Sequence, residues 1–213
     1  MRSKKLAVVS LFAVSAVILS ACSGSSGLTL DVPDVPMVEE VGAFEGELNI
    51  VNWSGFVEPA WTDQFTADTG CVVNPRVAGT SDEMVTLMRT GEYDIVSASG
   101  DAALRLIVGG DVQPLNIELI PNFGDDIAEG MKGQIYDTVN GNPYGVPIGR
   151  GANLLQYNED ITGSAPESWD VVWESDSPYA GKITAYDAPI YIADAAVYLM
   201  YHNPDLGIEN PYA

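Results

Sequence analysis

Residues 48–59 read LNIVNWSGFVEP, and the order of residue types in this stretch sets the architecture. Leu48, Ile50 and Val51 are strand formers. Asn52, Trp53, Ser54 and Gly55 interrupt the run, and Glu58 and Pro59 open a helix. A strand that stops at small polar residues and passes into a helix is the first half of a parallel-sheet crossover unit. It also leaves a large aromatic, Trp53, at the strand tip, where Ser54 and Gly55 leave room for close approach.

The same alternation continues downstream. The stretch 58–70, EPAWTDQFTADTG, puts Ala60, Trp61, Gln64, Phe65 and Asp68 on adjoining turns and stops at Gly70, so it predicts an amphipathic helix. CVVNPRV (71–77) predicts a second strand, edged by Pro75. TSDEMVTLMRTG (80–91) begins with a Ser/Asp cap and puts Met84, Leu87 and Met88 on one face. YDIVSAS (93–99) is a third strand, and DAALRLIVGG (101–110) a third helix with a glycine stop. Parallel sheets of this kind take ligands beyond the carboxyl ends of their strands. The tips Asn52–Trp53–Ser54 and Ser97–Asp101 therefore face one crevice.

The pattern changes after 133. GQIYDTVNGNPYGVPIG (133–149) alternates and turns at Asn140–Gly141–Asn142, a hairpin signal. GANLLQYN (151–158) and GKITAYD (181–187) predict strands, while SWDVVWE (168–174) and IADAAVYLMYH (192–202) predict helices. The expected division is a first α/β lobe over 47–149 and part of a second α/β lobe over 150–213, which ends on loop chemistry and reads as truncated.

The N-terminus carries a different message. Arg2, Lys4 and Lys5 precede an apolar run from Leu6 to Leu19, and LSAC (19–22) is a bacterial lipobox, so 1–21 reads as a lipoprotein signal peptide and Cys22 as the lipidated residue. Residues 22–46 are small, acidic and Pro-bearing, and predict a flexible tether that buries nothing. Removal of 1–21 takes the formal charge from -21 to -24, with six Arg and Lys left. Such a chain does not bind nucleic acid by phosphate neutralisation, and its acidity suits a cationic ligand. Cys71 is either a buried thiol or half of a disulfide with a partner elsewhere. One histidine, His202, and one spare cysteine make a metal site improbable, and no cofactor is expected. His202 follows an apolar helix and reads as structural. No nucleophile–base pair, P-loop or dinucleotide fingerprint occurs, so the chain does not read as an enzyme.

These features occur together in one order: lipobox, tether, NWSGFVEP, FTADTG, GEYDIVSAS, NGNPYGVPIG, then WDVVWE and GKITAYD. That series resembles the extracellular solute-binding lipoproteins of bacterial ABC transporters, in the spermidine/putrescine-binding branch. The resemblance implies two α/β lobes joined by a hinge, a small-molecule ligand such as a polyamine held between them, and delivery to a membrane permease with a cytoplasmic ATPase. It implies an extracytoplasmic, lipid-anchored place. Residue by residue, Trp53, Ser54 and Phe56 match the first-strand tip, Ser99 a ligand-contacting serine, and Asp187 an ammonium-binding aspartate. Asp101 stands where the family has a tyrosine, and Tyr191 offers a further ring. Gly55 and Ile190 replace two expected acids, so a neutral or anionic solute, such as a sugar or carboxylate, is the alternative for the same receptor role. An enzyme or a structural surface lipoprotein is the remoter alternative.

Overall fold

The computed structural model describes residues 27–44, 46–149, 151–185 and 187–211. The signal-peptide and lipidation readings, Cys22 included, lie outside them. Strand β1 (Glu47–Asn52) occupies the centre of a three-stranded parallel sheet, between β2 (Val72–Val77) and β3 (Ile95–Val96). Its register pairs Leu48 with Val73 and Val51 with both Arg76 and Val96. The central position explains its composition: Val51 and Asn52 are 0 and 1% exposed, and both neighbours supply ladder partners.

Three helices connect or flank these strands: α1 (Pro59–Thr69), α2 (Ser81–Met88) and α3 (Gly100–Gly109). Pro59 sits in the first turn of α1, where its missing N–H costs nothing, and Gly70 closes the helix with φ 74°. Helix α1 forms where the sequence places it, yet it buries no residue, and Trp61 stays 61% exposed. Helix α2 is capped by Thr80 rather than by the Ser/Asp pair expected, which lies inside its first turn; the Thr80 Oγ1 accepts from the Glu83 N–H at 3.1 Å. Its buried face, Val85 and Met88, packs with Ala102 and Leu106 of α3, while Met84 packs with Val51 and Ala78 under the sheet. The α/β class expected from the sequence holds.

Strands β4 (Thr138–Val139) and β5 (Asn142–Pro143) form the antiparallel hairpin. Asn140 and Gly141 both have positive φ, 53° and 81°, the geometry of a two-residue turn that only Asn and Gly adopt cheaply.

Two expectations need correction. The stretch 22–46 does not behave throughout as a tether that buries nothing. Leu28, Leu30 and Val32 pack at period 2 against a cluster of Leu104, Ile107 and Val139. Backbone bonds hold Leu28 to Thr138 and Asn140, and the Asn140 side chain both donates to and accepts from the Leu30 backbone at 2.8 and 3.0 Å. Polar composition concealed three alternating apolar residues. From Pro33 onward the segment is largely exposed, with Phe44 at 64%.

The second correction concerns 151–158 and 181–187. Neither forms a strand among the described residues. An extended segment is a strand only when another segment takes up its N–H and C=O groups, and among the described residues no such segment pairs with either. After the short α4 (Phe123–Asp126), the helices of this region do form: short α5 (Glu159–Thr162) and α6 (Asp170–Trp173), and longer α7 (Ile190–His202).

Candidate functional site

The carboxyl ends of the strands gather the chemistry, as the crossover topology requires. At the tip of β1, Asn52 is enclosed, its Nδ2 donates to the Trp53 carbonyl at 2.7 Å, and its Oδ1 has no partner. Trp53 is half-buried and packs on the Val51, Ala78 and Met84 cluster. The chain then turns, with the Phe56 N–H on the Trp53 carbonyl at 3.1 Å and Gly55 at φ 82°. Gly55 is thus required by the backbone: an acid there would carry a Cβ into a left-handed conformation. Ser54 and Phe56 are exposed, Phe56 at 44%.

Beyond β3, Ser99 immediately precedes α3. Its hydroxyl donates to Asp101 Oδ1 at 2.6 Å and lies 2.5 Å from Ser81 Oγ. Asp101 occupies the first turn of α3, where a carboxylate suits the helix dipole. Its other oxygen, Oδ2, is enclosed and unpartnered.

Ser81 links this cluster to a cleft of about 480 Å³. One wall is the start of α2, through Thr80, Ser81 and Asp82; the other is Asp187, Ala188, Pro189 and Ile192. Asp82 pairs with Arg105. Asp187 is exposed and has no ion-pair partner among the described residues. Of the residues read from sequence, Asp187 lines this cleft, and Ser99 and Asp101 stand directly behind Ser81. Trp53, Ser54, Phe56 and Tyr191 do not line it. Sequence reading missed Thr80, Ser81 and Asp82 as wall residues, because a Ser/Asp helix start is explained by capping alone. The available signal was topological: α2 begins at the same sheet edge where β1 and β3 end.

A second hollow of similar size lies within 153–202, bordered by Asn153, Trp169, Trp173, Asp194, Tyr198 and Tyr201. Desolvation raises the Asp194 pKa, partly offset by its hydrogen bond from Asn153. Tyr198 bonds to Asp170 and Glu174 at 2.7 and 2.8 Å and stacks on His202 at 4.1 Å. Its pKa is raised, first by desolvation and then by those two carboxylates, and the Tyr198 hydrogen bond lowers the Asp170 pKa. His202 is therefore held as a packing partner of Tyr198, at the helix end expected of it. Cys71 is buried and forms no disulfide among the described residues. Among the described residues no group of three or more His, Cys, Asp or Glu is placed to hold a metal ion, and no helix is long and apolar enough to cross a membrane.

A putrescine-binding periplasmic protein, SpuD, of Pseudomonas aeruginosa is 26% identical over 175 residues, covering 77% of this chain and 47% of the relative. The chain is similar to the spermidine/putrescine-binding periplasmic proteins. That of Escherichia coli is also 26% identical, over 144 residues, covering 66% of this chain and 40% of its own length. The chain thus spans less than half the length of these curated relatives. Among solved structures, the spermidine/putrescine substrate-binding protein PotD of Streptococcus pneumoniae aligns over 62% of this chain and 40% of its own, with a TM-score of 0.45 and 24% identity. No protein-family profile matches the chain.

Proposed function

We propose that this chain is part of the solute receptor of an ABC importer, and that it captures a small organic cation such as putrescine or spermidine. The observation that carries this reading is the cleft at the carboxyl ends of the strands, with Asp187 uncompensated on one wall and Ser81 and Asp82 on the other. Among the described residues no Lys, Arg or His lines it. The N-terminus of α2 opposes a cation, with roughly half a positive charge; the two carboxylates on the walls outweigh it, even with Asp82 shared with Arg105. A neutral sugar would call for stacking rings, and Trp53, Phe56 and Tyr191 lie outside the cleft lining.

In this reading Asp187 anchors one ammonium, and the ligand passes to a permease served by a cytoplasmic ATPase. Cys22 carries the lipid that keeps the receptor on the outer side of the cell membrane, and the protein is a carrier rather than an enzyme. The names of the relatives support the polyamine class and the extracytoplasmic place. The test is calorimetric titration with putrescine. A charge-assisted hydrogen bond contributes ~1.5–3 kcal/mol, so Asp187→Asn should weaken binding roughly ten- to a hundredfold. Unchanged affinity in Asp187→Asn would remove the cation anchor and with it the reading.

A further inference from the structure

The hydrogen bonds behind the cleft fix which way the Ser81 hydroxyl points. A carboxylate only accepts. Ser99 gives its single hydroxyl proton to Asp101 Oδ1 at 2.6 Å. With that proton spent, Ser99 Oγ can only accept in its 2.5 Å contact with Ser81 Oγ, so Ser81 is the donor there. Ser81 has then spent its own proton inward, and what its oxygen offers the cleft is lone pairs. Ser81 is 5% exposed, which leaves its hydroxyl few other partners to turn to. Asp101 Oδ2 is enclosed and takes no donor, so its charge is not shared away from the Ser99 bond.

We propose that Ser81 is a ligand-contact residue held as an obligate acceptor by the Ser81–Ser99–Asp101 relay, and that Asp101 is its positioning residue. This rests on the cation reading of the cleft and deepens it. Asp187 recognises charge, whereas Ser81 recognises an N–H donor and turns away an acceptor group at the same place. Asp101 acts without touching ligand. Asn in its place presents Ser99 either a weaker neutral acceptor or an amide donor. Both loosen the hold on the Ser99 proton, and the donor form frees it to go to Ser81 and the Ser81 proton to face the cleft.

The experiment is calorimetric titration of the full chain with putrescine, comparing wild type with Ser81→Ala, Ser81→Thr, Asp101→Asn and the Ser81→Ala/Asp101→Asn double variant. Thermal melts accompany each. Ser81→Ala and Asp101→Asn should each weaken binding about tenfold, the effect of one hydrogen bond to a charged ligand. Ser81→Thr keeps the hydroxyl and should stay within about threefold of wild type. The double variant should be no weaker than Ser81→Ala alone, because Asp101 acts only through Ser81. Losses that multiply to about a hundredfold, or wild-type affinity in Ser81→Ala, would overturn the relay while leaving the cation reading intact. Absence of any putrescine binding by wild type would overturn both. If Ser81→Ala melts early, Asp101→Asn against Ser81→Thr still decides: equal affinities of those two overturn the proposal.

Discussion

Residues 47–112 and 151–211 both alternate apolar segments with glycine or proline stops, yet they are packed very differently. In the first, Val51, Met84, Val85 and Leu106 are at most 2% exposed. In the second, Leu154, Ile161 and Ile192 are 78, 63 and 75% exposed, and Ala193 and Tyr198 are its buried hydrophobic residues among those described. Strands β1, β2 and β3 lie within fifty residues of each other and complete one another's ladders. Among the described residues, the segments at 151–158 and 181–187 have no such neighbour. A helix closes its own hydrogen bonds and appears in either setting; a strand needs company.

The largest expected effect of this contrast is on stability. Leu106→Ala should cost about 2–5 kcal/mol in denaturant unfolding, since it opens a cavity between α2 and α3. Leu154→Ala, the same deletion at a 78% exposed site, should change stability by less than about 0.5 kcal/mol. Comparable losses at both would erase the contrast. Next in size is the hairpin turn. Gly141→Ala puts a Cβ at φ 81° and should cost about 1–2 kcal/mol in the same assay. Removing the α2 cap with Thr80→Ala should cost about 1 kcal/mol. A neutral outcome there would mean that α2 is held by packing alone.

The smallest effects are electrostatic and opposite in sign at two carboxylates, Asp137 beside the hairpin and Asp170 in the second region. Burial raises the Asp137 pKa above its ordinary 3.8, partly offset by bonds from Thr138 and Gln134. Its protonated form favours the fold, a contribution present below about pH 3.8 and lost as pH rises through the raised value. Asp137→Asn should therefore stabilise the protein at pH 7 and be neutral in acid. Asp170 has a lowered pKa, chiefly from the Tyr198 hydroxyl, so its contribution is present above about 3.8 and lost as pH falls through the lowered value. Asp170→Asn should destabilise slightly at pH 7 and converge with wild type in acid. Melting temperature against pH for both variants reads the two signs.

The fold was legible where local chemistry decides it. Gly70 and Asn140–Gly141 mark ends and turns that any setting would honour, and the strand formers Leu48, Ile50 and Val51 marked a strand, though not its central place in the sheet. It was less legible where distant pairing decides. Leu28, Leu30 and Val32 find their cluster more than a hundred residues downstream at Val139, which no reading of a short window detects. The site divides in the same way. Asp187 and Ser99 entered through the family resemblance, and 181–187 forms no strand among the described residues to carry Asp187 at its tip; Ser81 was hidden by its adequacy as a helix start. Trp53, carried over as a match to the family's first-strand tip, packs on the Val51, Ala78 and Met84 cluster.

The central claim is that the cleft between α2 and Asp187 takes a cation rather than a neutral chain of the same length. Calorimetric titration of the wild-type chain with putrescine, and separately with 1,4-butanediol, tests it most directly. The account predicts saturable binding of putrescine, weakened by salt, and none of the diol. Equal affinity for the two, or binding of a sugar in place of both, would contradict it.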